Sequence, residues 1–325
     1  MSYIDMHCDT LMEAYFAKQT NMYELPTAMV DVARLQKGGC MAQFFAIFLP
    51  CEDIWDWYKA PKVDDDAYIR SCASIFRETI TANPAAIAFA KNDSDIEENS
   101  RQSKISVFLT VEDGRDVRGD LNRLKSYYDM GVRLLSLTWN EKNCFGSPNS
   151  RDAKVMNQGL TEFGRDAVEY MNELGMLVDV SHLSDGGFYD VAQISKKPFV
   201  ASHSNSREVC GHPRNLTDDM IRTLAQKGGV AGLNFGPEFL DDTSGNEAST
   251  IKKMVEHISH MINIGGIESV AIGTDFDGIE GSLEIGSADK MPMLFAELKR
   301  QGIPESGIDK IAYQNVRRVI SEVLI

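Results

Sequence analysis

The sequence predicts a (β/α)8 barrel, and three observations carry that prediction. Eight short apolar, β-branched runs alternate with longer stretches of helical period. The runs are mostly continuous rather than strictly alternating in polarity, as parallel strands covered on both faces require. Eight strand–helix units in 325 residues fit such a barrel, which needs roughly 250 plus insertions. An open doubly wound sheet is the architectural alternative. No glycine-rich phosphate-binding pattern follows any run, so a nucleotide-binding version of it has no support.

Taken in order, the expected strands begin with Tyr3–Asp9, Cys40–Phe48 and Ile105–Glu112. Gly131 closes the helix before Val132–Trp139, and Gly175 closes the one before Met176–His182. That second helix carries its apolar stripe on Leu160, Phe163, Ala167, Tyr170, Met171 and Leu174. Ser184 is an N-cap candidate for the helix leading to Pro198–Ser204, and Thr217 for the helix leading to Gly229–Phe235. A stripe of Ile251, Met254, Val255, Ile258, Met261 and Ile262 precedes the eighth strand, Ser269–Phe276. Two long segments, Leu49–Asp66 and Asn140–Gln158, follow strand C-termini, where active-site loops belong.

Composition narrows the function. Apolar residues make up 43% and charged residues 25%, which suits a folded globule. The 33 basic against 48 acidic residues leave a net charge of −15, the wrong sign for nucleic-acid binding. The N-terminus shows no secretory pattern, and the C-terminus shows no lipid-anchor pattern. The most apolar run, residues 40–50, falls short of the roughly 20 that a membrane span needs. The six cysteines form no CxxC pair. The expectation is a cytoplasmic protein with reduced cysteines, no membrane anchor and no nucleic-acid partner; a homodimer stays open.

The chemistry lies at the predicted strand ends. His7 and Asp9 end the first strand, Glu112 the third, His182 the fifth, His203 the sixth and Asp275 the eighth. In a barrel these ends meet at one mouth. The spacing of His7 and Asp9 places both on one side of their strand and Cys8 on the other. Imidazoles and carboxylates suit zinc and similar divalent ions. So many ionisable groups in a water-poor mouth are costly without cations. Two divalent ions, bridged by a carboxylate and a hydroxide, balance the charge and supply a nucleophile at neutral pH.

Six segments carry a family resemblance: DMHCDT (5–10), VEDG (111–114), VDVSH (178–182), SHSNSR (202–207), HPRNLTD (212–218) and GTDFDG (273–278). With these, the chain resembles the membrane (renal) dipeptidase family of zinc metallopeptidases, within the amidohydrolase-like barrels. The resemblance implies a single hydrolase domain over residues 1–325 that cleaves dipeptides, L,D-dipeptides included. It assigns His7 and Asp9 to a first zinc, Glu112 to a bridge, and His182 and His203 to a second zinc. Asp275 becomes the acid/base, and Arg214 the grip on a dipeptide carboxylate. Arg214 rests on resemblance alone, although a guanidinium suits a carboxylate.

Three departures stand out. Renal-type members carry a histidine at the end of the fourth strand, whereas this chain reads LSLTWN there. A zinc ion, Asn140 or the Trp139 indole N–H would have to supply that oxyanion contact, and Trp139 serves equally as a packing wall. Asp113 stands where a glycine is frequent, and the animal enzymes' secretion signal and anchor are missing.

Two readings compete: another amidohydrolase-type activity (lactonase, deaminase or cyclic amidase), and a non-catalytic metal-stabilised binding protein. His212 is expected to shape its loop and Asp277 to support Asp275. His257 and His260 are expected on the helix before the eighth strand, away from the mouth, in a solvated or helix-flank role. Trp55, Trp57 and Tyr58 are expected either as pocket wall or as loop packing, and Cys8 as packing.

Overall fold

The computed structural model describes residues 2–243, 245 and 247–325. Eight parallel strands close on themselves: β1 (Tyr3–Cys8), β2 (Cys40–Phe48), β3 (Ile105–Glu112), β4 (Val132–Ser136), β5 (Leu177–Asp179), β6 (Val200–Ala201), β7 (Val230–Leu233) and β8 (Val270–Ile272). Each pairs with its successor, and β8 pairs with β1 through Asp5 and Ile272. This is the predicted barrel. The outer helices pack their apolar stripes on the strands, with Ala167, Val168 and Met171 buried on one and Met254, Ile258 and Met261 on another. Thr161, Ser184, Thr217 and Thr250 cap helix N-termini by accepting backbone N–H bonds.

The barrel interior is its own cluster. Ile4, Phe44, Phe108, Leu134, Leu177, Val230 and Ala271 fill it, with the Phe44 and Phe108 rings stacked at 4.5 Å. Val316, Val319, Ile320 and Val323 of the C-terminal helix Asn315–Val323 join that cluster, closing the end opposite the metal-type side chains. Among the described residues no helix is long and apolar enough to cross a membrane.

The structure departs from the expected elements in three ways. A short strand, Ile87–Phe89, pairs with the start of β3, where residues 105–107 are not taken by β4. Strands β4 to β8 stop two to four residues short of their expected ends. Side chains there take the backbone N–H groups that a ladder would use. Asp179 accepts from Ser181 and Ser202, Asn205 accepts from Asn234, and Asp5 accepts from Thr274. Finally, the β1–β2 pairing runs from Asp5↔Gln43 to Cys8↔Phe45, three residues against two. That bulge lets His7 enter the same interior as Met6, which simple alternation forbids.

Candidate metal centre

The predicted donors converge at the C-terminal mouth. His7 Nε2 lies 3.3 Å from Glu112 Oε2, 3.6 Å from Asp9 Oδ1 and 3.7 Å from Asp275 Oδ1. Glu112 Oε1 lies 2.9 Å from His182 Nε2 and 3.4 Å from His203 Nε2. All six side chains are at least nine-tenths buried. Donor atoms gather in two sets, His7–Glu112–His203 and His7–Asp9–Asp275, so His7 is common to both. His182 stands beside the first set, 3.1 Å from His203.

Hydrogen-bond directions show what this cluster wants. His182 Nδ1 faces Asn140 Oδ1 at 3.1 Å, and an amide oxygen only accepts, so Nδ1 carries the ring proton. His203 Nδ1 faces Ser202 Oγ at 2.7 Å. His182 Nε2 then turns a lone pair toward Glu112 Oε1. Among the described residues, His7 Nδ1 and Nε2, Asp9 Oδ1 and Glu112 Oε1 are buried without a hydrogen-bond partner. Orphaned buried polar atoms are costly, and cations between them relieve the cost. The donor set therefore fits divalent metal ions.

The electrostatics agree. Burial works to lower His7, but Glu112 and Asp9 outweigh it and hold the ring protonated well above the usual range. Burial works to raise Glu112, but the charge on His7 and the contacts with His182 and His203 together outweigh it and hold the carboxyl well below the usual range. Burial and the charge on Arg214 push His182 down to about 4, while burial and the charge on His7 push His203 well down. The proton on His7 is thus the one positive charge among the six side chains, and it stands where a divalent ion would displace it. Burial pushes Asp9 up to about 6 and Asp275 up to about 8, each against the pull of His7.

Backbone conformation serves the same end. His182 and Asp275 adopt positive φ of 69° and 62°, turning the chain out of its strand as the side chain enters the mouth. Asp113 also has positive φ, at 74°, which explains why a glycine suits that position. A Cβ on Gly278 would lie 2.2 Å from Asp9 Oδ2, so only glycine fits beside these carboxylates.

A cavity of about 550 Å³ opens on the cluster. Phe48, Ile54, Trp57, Trp139, Asn140 and Phe239 are among its walls. Trp139 packs edge-on against Phe48 at 5.0 Å. Trp55 is buried against Tyr15, Phe16 and Tyr68, whereas Trp57 stays exposed at the rim and the Tyr58 hydroxyl donates to Glu13.

A family model described as membrane dipeptidase (peptidase family M19) matches residues 1–324. This chain belongs to the membrane dipeptidase family. It is accordingly a metallopeptidase of the dipeptidase class, with a two-metal donor cluster at its barrel mouth. An uncharacterized dipeptidase of Schizosaccharomyces pombe is 30% identical over 328 residues, spanning 97% of this chain and 79% of the relative. Among solved structures, a Rhodobacter sphaeroides metallopeptidase bound to a phosphinate mimic of L-Ala-D-Ala superposes with a TM-score of 0.89. It is 25% identical, and the match covers 99% of each chain. Dipeptidase AC, also of family M19, superposes at 0.88 with 26% identity over 100% of this chain and 99% of its own.

One residue that supports the cluster, Asn234, carried no flag in the sequence. Asn234, just beyond β7, donates from Nδ2 to Asp275 Oδ2 at 2.8 Å. An amide at a strand end is no metal donor, so the strand-end rule passes over it. Arg214 is buried. Nη1 donates to Ser204 Oγ, Nη2 donates to the His203 carbonyl, and Nε is buried with no partner. Asp277 accepts from Thr10 Oγ1 and the Met29 N–H, which ties the mouth to the segment after β1. His212 accepts from the Arg214 N–H, as a loop-shaping residue should. His260 meets Asp218 on the helix flank. Cys8 is buried in the outer core cluster, between barrel and helices.

Of the two alternatives for His257 the solvated one fails: it lies on the helix flank and is fully buried. Its Nδ1 accepts from the Ser206 N–H, so its Nε2 carries the proton and donates to the Leu240 carbonyl at 3.0 Å. It thereby pins the loop after His203 to the outer helix Ile251–Gly265. Its removal leaves two buried backbone groups unpaired, so His257→Ala is expected to cost about 1–3 kcal/mol near neutral pH. Burial lowers the folded-state pKa to about 4, below its usual 6.5. The stability it contributes is therefore complete above about 6.5 and drains as pH falls toward 4. Urea unfolding should show the gap between wild type and His257→Ala narrowing from about pH 7.5 to about pH 5, and a constant gap would contradict this assignment.

Proposed function

We propose that this chain hydrolyses the peptide bond of dipeptides, L,D-dipeptides included, at a binuclear zinc centre in one barrel domain over residues 1–325. The observation that carries the proposal is the convergence of orphaned imidazole and carboxylate atoms at the floor of a dipeptide-sized cavity. His7, Asp9, Glu112, His182 and His203 would hold the ions, with Glu112 facing both histidine groups. Bound divalent ions polarise a scissile carbonyl and lower the pKa of an attacking water. Asp275 accepts the proton from that water and delivers it to the leaving amine, and Asn234 holds the carboxylate in place. Trp139 walls the cavity, and Asn140 orients His182. The mimic of L-Ala-D-Ala in the Rhodobacter protein supports a small, unblocked substrate of that stereochemistry. The non-catalytic reading is disfavoured because Asp275 stands beside the donor cluster, 3.7 Å from His7 and held by Asn234, as a further carboxylate that a structural metal site does not need. A cytoplasmic location and a small-molecule dipeptide substrate complete the reading.

Arg214 is assigned to the substrate carboxylate because its buried Nε has no partner. Losing a charge-assisted contact worth about 1.5–3 kcal/mol predicts that Arg214→Ala lowers kcat/KM for dipeptides roughly 10- to 100-fold, mainly through KM. A dipeptide amide, which lacks the carboxylate, should be turned over by wild type and variant at similar rates. Equal losses on both substrates would show that Arg214 acts elsewhere. A panel of dipeptides varied in stereochemistry tests the activity itself: turnover of none, with both metals bound, overturns the proposal.

A further inference from the structure

Asp179 and Ser202 lie behind the metal-type side chains, and neither has a role in the reading above. Asp179 ends β5 and is fully buried. Its Oδ1 accepts from the backbone N–H groups of Ser181 at 3.0 Å and Ser202 at 2.8 Å. Its Oδ2 accepts from Ser136 Oγ at 2.5 Å and Ser202 Oγ at 2.6 Å. Four donors fill the four lone-pair directions of a carboxylate.

The direction of the next bond follows. A serine hydroxyl has one proton, and Ser202 commits it to Asp179. Its oxygen can then only accept from His203 Nδ1, 2.7 Å away. His203 must carry its ring proton on Nδ1 and present a lone pair on Nε2, 3.4 Å from Glu112 Oε1. The two backbone N–H groups on Oδ1 cannot reverse, so the polarity of the whole chain of bonds is set by the barrel backbone. The segment is also tightly held. A Cβ on Gly232 or Gly273 would lie 2.0 or 1.7 Å from the Ser202 carbonyl oxygen, so β7 and the turn after β8 press directly on it.

We infer that Asp179, acting through Ser202, fixes the tautomer of His203 so that Nε2 stays open to a metal ion. Asp179 is a positioning residue: it touches neither metal nor substrate. The inference rests on the reading of His203 as a metal ligand.

Asp179→Asn is the decisive variant because it keeps volume and reverses polarity. The amide oxygen must face the two backbone N–H groups, which leaves the NH2 group facing the serine hydroxyls. Ser202 then accepts from the amide, and its own proton turns toward His203 Nδ1 at 2.7 Å, a nearer acceptor than Ser181 Oγ at 3.3 Å. The ring proton moves to Nε2 and blocks ligation, as a wrong tautomer does in other catalytic histidines. The expected result, in zinc competition against a chromophoric chelator, is about a 10- to 100-fold weaker affinity for one of the two ions. Adding Ser202→Ala to Asp179→Asn removes the misdirected hydroxyl and should recover part of that affinity. A merely structural role for Asp179 would make the double variant no better than the single.

Ser202→Ala alone should weaken one ion by about tenfold and carries the test if Asp179→Asn fails to fold. Wild-type zinc affinity in Asp179→Asn or in Ser202→Ala, or a double variant no tighter than Asp179→Asn, overturns the inference. Failure of the wild-type protein to bind two zinc ions would be a separate result, overturning the metal-centre reading and this inference with it.

Discussion

Asp275→Asn is expected to lower kcat by about a hundred- to ten-thousand-fold, the usual contribution of a positioned acid/base, with the metal content unchanged. The argument is geometric first. Asn234 Nδ2 holds Oδ2 at 2.8 Å, which leaves Oδ1 to face the cluster, 3.7 Å from His7 Nε2. Burial then raises the carboxyl to about 8, so it changes protonation state readily near neutral pH. An asparagine fills the same space and cannot carry the proton. Metal analysis of the same preparation separates this loss from loss of an ion. Near-normal turnover with both metals bound would remove Asp275 from the acid/base role.

Glu112→Gln should be more severe, because it acts on metal binding itself. One carboxylate oxygen faces His182 and His203, and the other faces His7. In glutamine one of those oxygens becomes an NH2 group, which places donor hydrogens where the cluster needs a lone pair. Zinc affinity is expected to fall by at least roughly a hundredfold, beyond the range for residues that only support ligands. Dipeptide hydrolysis should fall with it. Circular dichroism should stay native, since Glu112 belongs to the mouth and not to either apolar cluster. Two tightly bound ions in Glu112→Gln would contradict the arrangement described above.

The barrel was legible because apolar runs and helical stripes alternate eight times, and strand ends mark where one mouth must form. His7, Asp9, Glu112, His182, His203 and Asp275 could be picked out by residue type at the predicted strand ends. Their side-chain directions were harder to read. Strict alternation puts Met6 and His7 on opposite faces of β1, and only the bulge against β2 brings both inside. The strands also end early, because Asp179, Asn205 and Asp5 take backbone N–H groups, and such long-range bonds leave no periodic trace. Asn234, Asp179 and Ser202 look like ordinary polar residues until the fold places them behind a donor atom. His257 misled for the opposite reason. Its helix is amphipathic and reads as half solvated, but the loop at Ser206 and Leu240, at the end of a separate short helix Pro237–Leu240, cover that turn.

The central claim is that the mouth of this barrel is a two-metal dipeptidase centre. Metal analysis of the purified protein, run alongside hydrolysis of L-Ala-D-Ala before and after chelation, tests it most directly. The account predicts about two divalent ions per chain, loss of hydrolysis as they are stripped, and recovery when zinc is returned. Less than about one ion per chain with no recovery on adding zinc, or hydrolysis that survives complete stripping, would contradict it.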